Sequence, residues 1–122
     1  MTKSRIAAAV AILLGLAMIG GGAMKLIGQS DQVAAFNGLG LPAWFRVLVG
    51  TFEVVGGVLV IVPSTIPAGT LILSTILIGA LWAHVAHGEW AHAIPVIVLL
   101  TSFLAIFLAN RGRAIQLLGG LS

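Results

Sequence analysis

The chain has 122 residues, of which 60% are hydrophobic and 7% charged. A surface that poor in polar groups cannot face water on all sides, so the bilayer is the expected solvent and a single membrane domain spans residues 1–122. The net charge of +3 comes from six cations against three acids rather than from a basic stripe, which excludes nucleic acid as a partner. Cysteine is absent, so the chain carries no structural disulfide, no thiolate metal site and no dithiol chemistry of its own.

In chain order, four apolar stretches each approach the roughly 20 residues that a helix needs to cross the hydrocarbon core. They are residues 6–27, 43–62, 66–85 and 91–109, and they predict an all-α bundle of four transmembrane helices. The first carries Ala7, Ala11 and Gly15 at four-residue spacing and then Gly20, Gly21 and Gly22, a ladder of small residues suited to close helix contact in lipid. The apolar run is too long for a signal-peptide core, and no small-residue cleavage pattern follows it. The connection "GQSDQVAAFNGLGLP" is the only long one; within it Val33, Ala34 and Phe36 fit a short surface helix turn or a plain loop equally well.

The second stretch contains Glu53, with Gly50, Gly56 and Gly57 at minus three, plus three and plus four on the same helix face. A carboxylate facing lipid near the bilayer centre costs roughly 2.5–3.5 kcal/mol on the translocon scale, so the glycine face and Glu53 are expected to point into the bundle. After "PSTIP", the third stretch ends near Trp82, His84 and His87, and "HGEW" leads tightly into the fourth. Lys3, Arg5, Arg111 and Arg113 flank the termini, against Lys25 and Arg46 near the long connection. The positive-inside rule therefore places both termini in the cytoplasm and the long connection outside. Trp44 and Trp90 then read as anchors at the outer interface, while Trp82 reads either as an anchor or as a pocket lining.

Depth along the helices brings Lys25, Arg46, Glu53 and His84 toward one another in the outer half of the bundle, where a cavity open to the outer face is expected. Two readings of this cluster stay open: an ion pair that fixes helix register, or a ligand or proton site. "HVAHGEWAH" places His84 and His87 on one helix face, with Glu89 and His92 following across the turn, so a metal reading exists. The spacing matches no established zinc signature, and the expectation is of interfacial histidines facing water, with no residue assigned to a metal. Ser74, Thr75, Thr101 and Ser102 lie in apolar helices, where a hydroxyl usually bonds the preceding turn, and they form no recognisable triad. Nothing in the chain amounts to a self-contained catalytic constellation.

Three segments together, "GGGAMKLIG", "FNGLGLPAWFRVLVGTFEVVGGVLVIVP" and "AGTLILSTILIGALWAHV", resemble the successive blocks of the DoxX-like membrane proteins across residues 15–88. The matching positions are Lys25, Leu26, Leu41, Pro42, Gly50, Glu53, Gly56, Gly57, Pro63, Gly79, Ala80 and His84. The resemblance implies a four-helix protein of a bacterial cytoplasmic membrane. Some relatives are associated with quinone-linked sulfur oxidation or membrane redox complexes, and a eukaryotic branch is similar to a receptor-assembly chaperone. The resemblance and the outer polar cluster together lead to the expectation of an accessory subunit that binds a quinone-like lipophile in the outer half of the bundle and serves a redox partner, with Glu53 and His84 meeting the ligand, Lys25 and Arg46 tuning them, and His87 in the same cluster. The alternatives are a non-catalytic interaction or assembly protein engaging a transmembrane client, and a small proton-coupled transporter. The glycine-rich surface also makes a homodimer an expectation.

Overall fold

The computed structural model describes residues 3–110, and among them it is helical with no strand. Arg111 and Arg113, which contribute to the predicted orientation, lie outside the described residues. The elements are α1 (Lys3–Ile27), α2 (Ser30–Gly38), α3 (Ala43–Ile61), a 3-10 turn (Pro63–Thr65), α4 (Ile66–Ala86) and α5 (Trp90–Ala109). Helices α1, α3, α4 and α5 are long and apolar enough to cross a membrane, and they lie within a few residues of the stretches read from the sequence.

Helix α2 settles the long connection as a helix rather than a loop. Helix α1 ends in a Schellman turn at Gly28, whose φ of +73° is the left-handed conformation that glycine adopts without a Cβ penalty. In this turn the Gly28 N–H donates to the Lys25 carbonyl and the Gln29 N–H to the Met24 carbonyl. Gln29 then caps the next helix: its side-chain oxygen accepts from the backbone N–H groups of Asp31 and Gln32, at 3.0 and 3.2 Å. Asp31 in the first turn adds a favourable charge at the helix N-terminus. No residue of α2 is buried, and its Phe36 ring lies 6.5 Å from the Phe45 ring at the start of α3.

Helices α1 and α3 are the most intimately packed pair, and glycine makes this possible. A Cβ on Gly15 would sit 2.7 Å from the Gly57 carbonyl oxygen, and one on Gly57 the same distance from the Gly15 oxygen. Gly22 and Gly50 repeat the arrangement, at 2.7 and 2.9 Å. The two crossings are seven residues apart on each helix and run antiparallel. That is the period at which one face of a helix stays turned toward a neighbour, and each glycine removes the side chain that would keep the backbones apart. Gly69 plays the same part between α4 and α3, where a Cβ would lie 2.7 Å from the Val60 nitrogen.

The apolar core of Ala11, Val60, Ile66, Leu73, Phe103 and Ile106 gathers toward the end of the bundle marked by Pro63. The sequence-derived topology assigns this end to the cytoplasm. Contacts are dense along α1–α3, α3–α4 and α4–α5 and sparse between α1 and α5, so the bundle has one open seam. All three tryptophans face outward. Trp82 is 75% exposed, which removes the expected pocket lining and leaves the interfacial reading.

Alanine at Gly15 or Gly57 forces two backbones apart. We expect each substitution to lower stability by about 1–3 kcal/mol, measured by thermal unfolding in detergent micelles. Gly20→Ala has open space around its Cβ and serves as the control; it should leave stability unchanged or raise it by the helix propensity of alanine.

Candidate functional site

Glu53 is the eleventh residue of the nineteen in α3, so it sits at mid-span, and only 6% of it is exposed. The glycine face carries it inward as the spacing predicts. Opposite lies α1, where a Cβ on Gly21 would be 3.4 Å from a Glu53 oxygen; the absence of a side chain there leaves room for the carboxylate. One turn further along α1, Lys25 folds its stem back and places Nζ 3.1 Å from Oε1 and 3.2 Å from Oε2 of Glu53. A single ammonium thus bridges both carboxylate oxygens, the geometry in which a low-dielectric ion pair best offsets the cost of losing water.

Arg46 closes the outer side of this pair through the backbone. Its guanidinium donates from Nη1 to the Lys25 carbonyl, which also accepts from the Gly28 N–H in the turn that ends α1, and lies against Gly28. A cation at a helix C-terminus also complements the helix dipole. Lys25, Arg46 and Glu53 therefore meet as expected from depth, but with divided roles: Lys25 pairs with the acid, and Arg46 caps the helix that carries Lys25.

His84 belongs to a different assembly. Helix α4 ends in a second Schellman turn, with Gly88 at φ +70°, the Gly88 N–H donating to Val85 and the Glu89 N–H donating to the His84 carbonyl at 2.8 Å. The turn folds Glu89 back over His84, and its Oε1 lies 3.0 Å from His84 Nδ1. This hydrogen bond holds the half-exposed Glu89 carboxyl below the usual carboxylate range. His92, in the first turn of α5, brings its ring within 5.5 Å of the His84 ring. His87 is not part of the group: its Nδ1 lies 2.9 Å from the Ala83 carbonyl of its own helix. The expected convergence of His84 with Glu53 is thus replaced by a partition into an intramembrane pair between α1 and α3 and a histidine cluster at the α4–α5 turn. Of the residues that the sequence sets beside His84, Glu89 and His92 meet it across the turn, whereas His87 does not, because the helix ends at Ala86 and the chain doubles back.

A groove in the structure is placed differently from the outer pocket expected. It offers about 320 Å³ in the open seam between α1 and α5 at the Pro63 end, lined by Ile6, Ala7, Val10, Ser102, Ala105 and Ile106. Sequence reading missed these residues because nothing in an apolar stretch signals which two helices are held apart. Three of the four hydroxyls named from the sequence behave as expected: those of Thr75, Thr101 and Ser102 donate to the carbonyls of Leu71, Ile97 and Val98, four residues back. None is poised as a nucleophile.

With this geometry in place, the chain can be set beside known proteins. The profile of the DoxX-like family matches residues 9–107, which is most of the chain, and the chain belongs to that family. No match was found among curated proteins or solved structures.

Removing one partner of the buried pair leaves the other charge stranded. Lys25→Met and Glu53→Met are each expected to cost about 3–5 kcal/mol in detergent unfolding, and the double variant should recover much of the loss. Strictly additive single losses would show that the two charges are not coupled.

Proposed function

We propose that this member of the DoxX-like family is a non-enzymatic accessory protein of a membrane complex, held in a bacterial cytoplasmic membrane with both termini inside. The observation that supports this best is the closure of the intramembrane acid. Lys25 occupies both oxygens of Glu53. Among the described residues, no buried side-chain nitrogen or oxygen lacks a hydrogen-bond partner. A polar core satisfied in this way fixes the register of two helices and leaves no buried polar group of the described residues free for a substrate. The outward apolar faces of the bundle then serve lipid and a transmembrane partner, with small residues such as Gly20 and Gly79, open to close approach, as contact points.

A second reading is favoured by the cleft between α1 and α5. At about 320 Å³ it falls at the lower end of the roughly 300–1,000 Å³ typical of small-molecule sites. Its apolar lining and lateral opening suit a quinone-like lipophile entering from the bilayer. The redox chemistry in that case is the ligand's and its partner's, since this chain contributes no cysteine. Proton-coupled transport has less support: a transport acid must exchange partners between the two sides of the membrane, and Glu53 is bound face-on by a neighbouring ammonium.

Purification from native membranes in mild detergent, with mass spectrometry of both co-purifying proteins and extracted lipophiles, separates these readings. The accessory reading expects a stoichiometric membrane-protein partner that persists in Ala7→Phe, a variant that fills the cleft. A quinone present in the wild type and lost in Ala7→Phe supports the second reading. A chain that purifies alone and without lipophile refutes both. Proton movement in liposomes that disappears in Glu53→Gln would put transport in their place.

A further inference from the structure

The cluster at the α4–α5 turn is independent of the buried ion pair and of the cleft. His84 stands in the last turn of α4, partly shielded by the turn that follows it, with 21% of its side chain exposed. The Schellman turn at Gly88 fixes the position of Glu89 through its backbone bond to the His84 carbonyl. His92 is fixed in turn, since its N–H donates to the Glu89 carbonyl at 3.1 Å in the first turn of α5. Three residues from two helices and their connection are thus held by backbone hydrogen bonds, each resting on the one before.

We propose that His84, Glu89 and His92 form a binding site for a divalent transition-metal ion of the zinc class, with two imidazole nitrogens and one carboxylate oxygen as ligands. The three ligand atoms lie within 4.8 Å of one another. Around a tetrahedral zinc ion, with metal–ligand distances of about 2.0–2.2 Å, neighbouring donor atoms stand ~3.4 Å apart. His84 Nδ1 and Glu89 Oε1, at 3.0 Å, are already close to that separation. His92 is exposed and closes the remaining gap by rotating its side chain, with no backbone shift. The ion replaces the proton that His84 and Glu89 share.

The donor set favours zinc and its neighbours over magnesium or calcium, which prefer oxygen shells. With 42% of the Glu89 side chain exposed, the fourth position faces solvent. The ligands run His-x4-Glu-x2-His across a helix end. The pattern depends on the turn at Gly88, across which the sequence already places Glu89 and His92 after His84. His87 lies within the same nine residues and points elsewhere, bonding the Ala83 carbonyl, so it provides an internal control. A bound ion would tie the end of α4 to the start of α5 at the face that the Lys and Arg distribution assigns to the outside.

The test is calorimetric titration of Zn²⁺ into the untagged, chelator-treated full-length chain in detergent, with Co²⁺ absorption as a reading of coordination geometry. The expected result is one ion per chain, with a dissociation constant below about 10 μM, and intense visible Co²⁺ bands of a tetrahedral site. His84→Ala, His92→Ala and Glu89→Gln should each weaken binding by about tenfold or more, and His87→Ala should leave it unchanged. Zn²⁺ should raise the thermal midpoint of the wild type and of His87→Ala but not of the ligand variants. Because these side chains lie at the surface of a turn, the metal-free melting curves of the variants should superimpose on that of the wild type. Absence of binding to the wild type, or equal weakening in His87→Ala and the ligand variants, overturns the site.

Discussion

The ion pair of Lys25 with Glu53 organises the rest of this bundle. A carboxylate at mid-span is tolerable only with a counter-charge at contact distance, and Lys25 can reach it only if α1 and α3 lie close together. The crossings at Gly15–Gly57 and Gly22–Gly50 bring the backbones together on either side of the acid. The dependence is mutual. Small residues allow close approach in lipid but specify register weakly, because one small residue packs much like another. A charge that must meet its partner supplies the missing specificity, since a slip of one turn along α1 would move Lys25 out of reach and strand both groups.

Arg46 extends this logic to the helix end. Its bond to the Lys25 carbonyl and the Schellman turn at Gly28 satisfy the acceptors left where α1 stops, and they hold the segment bearing Lys25 in place. The polar groups on α1 and α3 therefore form a chain of support, from Arg46 to the backbone of Lys25 and from its ammonium to Glu53. The Pro63 end of the bundle is built by a different means. There Val60, Leu73 and Phe103 are fully buried, and packing of large side chains holds α3, α4 and α5. The open seam falls between α1 and α5, where contacts are sparse. Among the described residues no close glycine crossing brings those two helices together, and a cleft is what remains.

Much of this was legible in the sequence. Four apolar runs of about twenty residues leave little freedom in how the chain crosses a membrane, and the offsets of Gly50, Gly56 and Gly57 from Glu53 identify an inward face without reference to any neighbour. Depth offered Lys25, Arg46 and His84 as neighbours of Glu53, and only the packing of α1 against α3 selects Lys25. Features that arise where helices stop were harder to read. The α2 helix depends on Gln29 capping it from the turn that ends α1, and glutamine is not among the residues that usually signal a helix start. His84 and His87 share a face only while the helix continues; the Gly88 turn replaces His87 with Glu89 and His92. The seam between α1 and α5 was not legible because hydropathy records how apolar a helix is and not which of its neighbours it touches.

The separation of the two polar assemblies bears on how the protein could work. A site that moved a proton or held a polar ligand between Glu53 and His84 would need both groups to face one space. The structure gives each its own partner, Lys25 for the acid and Glu89 for the imidazole. Glu53 is spent on holding α1 against α3 within the bundle, whereas His84 is directed to a turn that water can reach. On the proposed reading the buried pair is architecture, and the surfaces proposed for recognition are the apolar cleft between α1 and α5 and the histidine turn joining α4 to α5. They lie at opposite ends of the bundle, so a lipophile in the cleft and an ion at the turn would not compete for space and could be lost independently of one another.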